Sequence, residues 1–173
     1  LMYRKPATTF NQKAEALYQQ NVLSVMEEVW HKEGERIDLV IFLNGVAIFT
    51  FELKCNTSGQ NYEDAIRQYK FERDYKTRLL KFKAGCLAHF AMDLSEVYMC
   101  TNLKGKSSFF LPFNKGCGVG IHSGKGNPHN ENGINVSYMW EDILKKDTVL
   151  YLIDNIIFLQ KETKKDPDTG KRV

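Results

Sequence analysis

Hydrophobic and polar positions recur with different periods along the amino-terminal part of the chain, and each period predicts a type of element. Good helix formers come first, followed by alternating apolar and polar residues, which favour a half-buried strand. Two nearly continuous apolar runs then flank Asn44-Gly45, and such runs are typical of strands buried on both faces. The predicted elements are a helix at 11–20 capped by Asn11 and strands at 22–30, 37–43 and 46–54.

The remainder of the chain continues to alternate between helix and strand patterns. Apolar residues recur at helical spacing from Tyr62, and this helix is predicted to run to Lys83. The later predicted elements are a hairpin at 88–101, a short strand at 107–113, a long glycine- and asparagine-rich loop at 116–133, and a helix or helix pair at 140–159. This order predicts an α/β fold, in which helices flank a mixed β-sheet.

Length and composition narrow the class of protein without indicating what it does. The chain has 173 residues, enough for one domain, and 43% hydrophobic and 26% charged residues are ordinary for a soluble protein. The net charge of +3 is too small to argue for nucleic-acid binding by itself. Since no apolar run could span a membrane, no signal peptide opens the chain and the cysteines form no CxxC pair, we expect a cytoplasmic protein without a membrane partner.

The end of the chain differs in composition from the rest. Residues 161–173 are polar, rich in lysine and marked by proline and glycine, which predicts a basic linker or a disordered tail. Residues 1–160 are therefore the predicted domain. A linker at the end of a chain suggests a piece of something longer, and an ordinary frayed terminus is the alternative.

Three charged residues lie in the two runs that should be most deeply buried. Asp38 interrupts the first run, and Glu52 and Lys54 close the second. Residues two apart in a strand share a face, so Glu52 and Lys54 point the same way. Burying an unpaired charge costs several kcal/mol. The three residues therefore predict either a salt-bridged group or a metal site.

The turn between the two runs sets a condition on that site. A plain two-residue hairpin at Asn44-Gly45 would place Phe51 opposite Asp38, and Glu52 would then face the other side of the sheet. For Asp38 and Glu52 to converge, the turn must have an odd number of residues or a β-bulge must shift the register. We predict the shifted register.

The residues around the three charges resemble a known family. Asp38 followed by Glu52-Leu53-Lys54 resembles the PD-(D/E)xK nuclease core, and the wider sequence is similar to the amino-terminal nuclease domain of the type I restriction enzyme R subunit. The resemblance spans residues 21–159. It rests on short matching sequence segments at 38–45, 51–54, 64–70, 89–93, 110–116, 126–128 and 138–144. It implies a restriction-endonuclease-like core.

The resemblance also implies a chemistry and a set of partners. It implies an Mg²⁺-dependent endonuclease with Asp38, Glu52 and the Leu53 carbonyl on the metal, Lys54 orienting the attacking water, and Gln68 supporting them. Cutting would be independent of sequence and would follow translocation along double-stranded DNA. The implied partners are the modification (M) and specificity (S) subunits and an ATP-dependent translocase, which would supply any ATP requirement from outside this chain.

The sequence departs from the family pattern at two points. Many members carry Gln-x-x-x-Tyr, whereas Glu72 stands four residues after Gln68 here, so Tyr69 or Tyr75 would have to substitute. Such cores also often use a glutamate of the first helix, for which Glu15 is the candidate by position, with Glu27 and Glu28 of the following strand as weaker alternatives. The alternative function is a docking or assembly module that keeps the nuclease fold without catalysis.

Overall fold

The structure, a computed structural model, describes residues 2–8, 10–122 and 125–159. Six strands form one sheet in the order β1-β2-β3-β4-β5-β6. They are β1 (Leu23–Lys32), β2 (Glu35–Leu43), β3 (Val46–Leu53), β4 (Ala88–Met92), β5 (Val97–Cys100) and β6 (Leu111–Pro112). Strands β3 and β4 pair in parallel and the other neighbours pair antiparallel, so the sheet is mixed as predicted.

Helices flank the sheet, which confirms the predicted α/β fold. They are α1 (Gln12–Gln19), α2 (Tyr62–Phe71) and α3 (Lys146–Asn155), with short 3₁₀ turns at Asn56–Ser58 and Gly120–His122 and a π-helical segment at Met139–Ile143. The Asn11 side chain accepts a hydrogen bond from the Ala14 N–H, so the predicted cap of α1 is confirmed. No helix within 2–8, 10–122 and 125–159 is long and apolar enough to cross a lipid bilayer.

The strands bury apolar side chains on both faces, as their uninterrupted hydrophobic runs predict. One face packs against α3, Met139 and Tyr18 of α1, with Phe49, Phe51 and Phe90 at its centre. The opposite face packs against α2 and contains a second cluster, formed by Ile37, Val40, Ala65, Tyr69, Leu80, Ala91, Cys100, Leu103 and Phe110. The sheet thus separates two cores.

The β2–β3 hairpin has the register that the candidate site requires. Asn44 and Gly45 both have positive φ angles, and they form a two-residue turn that pairs Leu43 with Val46. Between Phe42 and Ile41 the register shifts by one residue, which leaves Ile48 as the extra residue of a β-bulge on β3. The predicted shift is confirmed, and it arises from a bulge beyond a plain turn.

The helix that follows the hairpin is shorter than the sequence predicts. It ends at Phe71, and the chain continues through turns instead of running helically to Lys83. The Asp74 N–H donates to Glu35 Oε2 at 2.7 Å, and His31 Nδ1 lies 3.0 Å from Thr77 Oγ1. These contacts with the β1–β2 hairpin hold the segment after α2 against the sheet, so tertiary contacts override helix propensity here.

The segments nearest the carboxyl terminus agree with the predicted pattern as far as they are described. The π-helical segment followed by α3 is the helix pair expected in 140–159. In the predicted loop at 116–133, Cys117 and Lys125 form an isolated β-bridge. The linker predicted for 161–173 lies outside the described residues.

Candidate active site

Asp38 occupies the point where β2 and β3 separate. The described backbone pairing of these strands ends at Leu39 opposite Phe51. Beyond this pair, the Leu53 N–H donates to Asp38 Oδ2 at 2.8 Å, so the carboxylate replaces a backbone acceptor. Continuing the same register places Asp38 opposite Glu52, and both side chains point to the α2 face of the sheet.

Glu52 is completely buried and paired with an arginine. Its side chain has 0% exposure, and Arg73, with 10%, donates to both carboxylate oxygens. The distance from Arg73 Nε to Glu52 Oε1 is 2.7 Å, and that from Nη2 to Oε2 is 3.3 Å. This is a bidentate, charge-assisted pair, and its geometry fixes the plane of the carboxylate.

One guanidinium does not compensate for two neighbouring carboxylates. Burial raises the pKa of Glu52 to about 8, and the nearby Asp38 adds to the rise, although the hydrogen bonds from Arg73 oppose it. A raised pKa means that the buried Glu52 carboxyl holds its proton more strongly than an exposed one, because burial disfavours the ionised form. A cation that binds Glu52 would favour the ionised form and lower this pKa again.

Lys54 and Gln68 are the other two side chains predicted for the site. The Lys54 N–H donates to the Met92 carbonyl at 2.9 Å, which extends the β3–β4 pairing by one residue, and the Lys54 side chain is half-buried. In α2, the Gln68 Oε1 atom is buried and has no hydrogen-bond partner. An unpaired buried acceptor is costly, which makes it a candidate contact for a bound water or cation.

Tyr69 belongs to a buried polar chain beside the acids. Its hydroxyl lies 2.8 Å from Thr50 Oγ1, which in turn lies 2.8 Å from His89 Nδ1. Burial raises the pKa of Tyr69, and the charge of Glu52 adds to that effect. The acid pair therefore affects the pKa of Tyr69 through its charge, while the Tyr69 hydroxyl forms its hydrogen bond with Thr50 of β3.

The structure does not bring Glu15 into the acid pair. Glu15 accepts a hydrogen bond from Gln19 of the same helix at 2.6 Å. Across the described part of the chain, no three His, Cys, Asp or Glu side chains converge on a point that could hold a metal. Within the candidate site, Asp38 and Glu52 are the carboxylates that could hold an ion.

A small, hard cation fits such a site. Mg²⁺ takes one or two protein carboxylates and fills its remaining positions with waters and other oxygens. Asp38 and Glu52 supply carboxylates, and Gln68 of α2 has a buried neutral oxygen without a hydrogen-bond partner. Residues of this kind would hold Mg²⁺ rather than a soft metal, because the site offers oxygen ligands.

The sequence interpretation did not identify Arg73 as a residue of the site. Arg73 lies within the helix predicted to run from Tyr62 to Lys83, whereas the helix ends two residues before it. Two acids buried on adjoining strands need a compensating positive charge. This requirement is the sequence signal that could have identified a nearby arginine as their partner. The location of the Arg73 side chain in the fold depends on the contacts that hold the segment after α2.

Comparison with known proteins identifies one family. The model of the family described as "Type I restriction enzyme R protein N terminus" matches residues 9–108, more than half of the chain. No curated protein and no solved structure matches the chain significantly. The matched range contains the whole candidate site, including Asp38, Glu52, Lys54, Gln68 and Arg73.

Proposed function

Because the chain belongs to the family of type I restriction enzyme R protein N termini, we propose that its site hydrolyses DNA phosphodiester bonds with the help of Mg²⁺. The observation that carries the proposal is the convergence of Asp38 and Glu52 on one face of the sheet. Two neighbouring carboxylates are suited to a divalent cation.

Each residue has a role in this proposal. A bound Mg²⁺ would supply Lewis-acid stabilisation of the phosphate and activation of a water. Asp38 and Glu52 hold the ion, with the Leu53 carbonyl as a further oxygen ligand. Lys54 shares a face with Glu52, so its ammonium group orients the attacking water and stabilises negative charge that develops on the phosphate. Gln68 positions the lysine or the water through its unpaired buried oxygen.

The proposed partners follow from the family. The chain acts on double-stranded DNA as part of a restriction complex with M and S subunits, and target recognition lies with the S subunit. Translocase domains of the R subunit bind and hydrolyse ATP, and cleavage follows translocation without reading the local sequence. The nuclease site itself needs Mg²⁺ and no ATP.

Cleavage of supercoiled plasmid by the assembled complex, with Mg²⁺ and ATP, tests the proposal. We expect Glu52→Ala or Lys54→Ala to reduce cleavage about a thousandfold, because each removes a group that stabilises the transition state. Lys145→Ala is the matched control, since this exposed lysine pairs with Asp142 and should leave cleavage unchanged. Full cleavage by either site variant would refute the assignment.

The second candidate function is a docking module with a nuclease fold. The specific observation in its favour is the Arg73–Glu52 ion pair, which gives Glu52 a structural partner without any metal. In that case the protein should show no Mg²⁺ binding that depends on Glu52. Calorimetric titration of the wild-type chain and Glu52→Gln with MgCl₂ separates the two functions.

A further inference from the structure

Arg73 and a metal ion would use the same carboxylate. Both Glu52 oxygens accept hydrogen bonds from Arg73, and the side chain of Glu52 has no exposure to solvent. A divalent ion bound to this carboxylate would stand next to a guanidinium, and two cations in a buried site repel each other strongly.

Other contacts hold the arginine close to Glu52. The next residue, Asp74, donates its N–H to Glu35 Oε2, and its carboxylate lies 3.3 Å from Lys32 Nζ. The Arg73 N–H donates to the Gln68 carbonyl at 3.1 Å, which ties the arginine to the end of α2. The backbone position of Arg73 is therefore fixed by two sets of contacts. One set joins the segment after α2 to the β1–β2 hairpin, and the other joins Arg73 to the end of α2.

We propose that Arg73 is an internal competitor of the metal: its guanidinium holds Glu52 and has to leave this carboxylate before a divalent cation binds. The inference rests on the proposed Mg²⁺ site. Arg73 is a positioning residue in this scheme, because it acts through Glu52. Its release makes metal loading sensitive to anything that moves the segment at 72–77, such as a partner that binds the β1–β2 hairpin.

Alternative assignments of Arg73 make different predictions. An arginine that kept its hydrogen bonds to Glu52 would hold this metal ligand in place. Its removal would weaken metal binding or leave it unchanged. For a competing arginine the change in Mg²⁺ affinity has the opposite sign. Its removal strengthens metal binding once the carboxylate is ionised. The sign of the change therefore decides between the two roles.

The test is an Mg²⁺ titration of the full 173-residue chain, followed by calorimetry and by the NMR signal of the Arg73 Nε–H group. Because the loss of Arg73 raises the pKa of Glu52 further, the titrations are repeated at rising pH until the affinity of each variant is constant. We expect Arg73→Gln to bind Mg²⁺ about tenfold more tightly than wild type, in the range of ordinary coupling between two sites. Arg36→Gln is the matched control, since Arg36 pairs with the exposed Glu28 and should leave the affinity unchanged. In the wild type, the Arg73 Nε–H signal should shift or vanish with the same midpoint as binding.

The outcomes separate this inference from the function on which it rests. Binding that requires Glu52, together with an unperturbed Arg73 signal and no gain in Arg73→Gln, would overturn the competition and leave the metal site in place. An absence of Glu52-dependent binding from both wild type and Arg73→Gln would overturn the metal site itself. If Arg73→Gln fails to fold, the NMR titration of the wild type still decides.

Discussion

At the scale of single residues, the candidate site is a problem of charge balance. Asp38 and Glu52 bring two carboxylates to one face of the sheet, and Arg73 brings one positive charge. Removing one member of a buried pair typically costs about 3–5 kcal/mol, because the other charge is left without compensation. Arg73 therefore stabilises the fold around Glu52.

The pKa of Glu52 predicts how metal binding depends on pH. A proton and Mg²⁺ compete for this carboxylate, whose pKa is raised to about 8 by burial. We expect the association constant for Mg²⁺ to rise about tenfold from about pH 6 to about pH 7 and to level off above about pH 8. Calorimetric titrations at several pH values measure this slope. A flat profile would show that Glu52 is not a ligand.

At the scale of elements, the β2–β3 hairpin and α2 bring the site together. The bulge at Ile48 moves β3 by one residue, so that Glu52 rather than Phe51 stands opposite Asp38. Helix α2 begins at a capping box: the Asn61 side chain accepts from the Glu63 and Asp64 N–H groups, and the Asp64 side chain accepts from the Asn61 N–H. This fixed start sets the position of Gln68 against the sheet.

The capping box predicts a difference between two asparagines. We expect Asn61→Ala to lower the free energy of unfolding by about 1–2 kcal/mol, because it removes the acceptor for two N–H groups of α2. Asn11→Ala is the matched change at α1, where the cap has one described acceptor bond, from Ala14, and a smaller loss of about 0.5–1 kcal/mol is expected. Urea unfolding of both variants gives the comparison. Equal losses would contradict the structural role assigned to the box.

At the scale of the whole molecule, one sheet separates two cores that differ in composition. The face that packs against α1 and α3 is apolar, with Phe49, Phe51 and Phe90 at its centre. The α2 face combines an apolar cluster with the acid pair and with the buried chain of Tyr69, Thr50 and His89. The site thus has a rigid support behind it, and its polar groups are confined to one side of the sheet.

The buried Glu52 predicts how global stability changes with pH. Its pKa is raised from an ordinary 4.5 to about 8, so between these values the folded state binds more protons than the unfolded state. The stabilisation from this group is present below about pH 4.5 and is lost as the pH rises through about 8.

Comparison with Glu52→Gln isolates the contribution of that group. In EDTA, we expect the free energy of unfolding of the wild type, relative to Glu52→Gln, to fall by a few kcal/mol from about pH 4.5 to about pH 8. Denaturation at each pH measures the difference. A difference that rises with pH would mean that Arg73 outweighs burial and lowers the pKa of Glu52.

The sequence by itself determined the type and order of the elements. The uninterrupted apolar runs of β2 and β3 specify strands buried on both faces, and Asn44-Gly45 specifies the turn between them, because these signals are local. The sequence also singled out Asp38 and Glu52, since charged residues in such runs are costly unless they have partners. The family match confirms the resemblance to the amino-terminal region of type I restriction enzyme R subunits.

Tertiary structure decided which groups meet. The required register shift was predicted, but its origin in a bulge at Ile48 depends on how both faces of β3 pack. The end of α2 at Phe71 and the placement of Arg73 on Glu52 depend on contacts with Glu35, about forty residues earlier in the chain. Local propensity cannot encode such distant contacts, because their energy comes from groups that only the folded chain brings together.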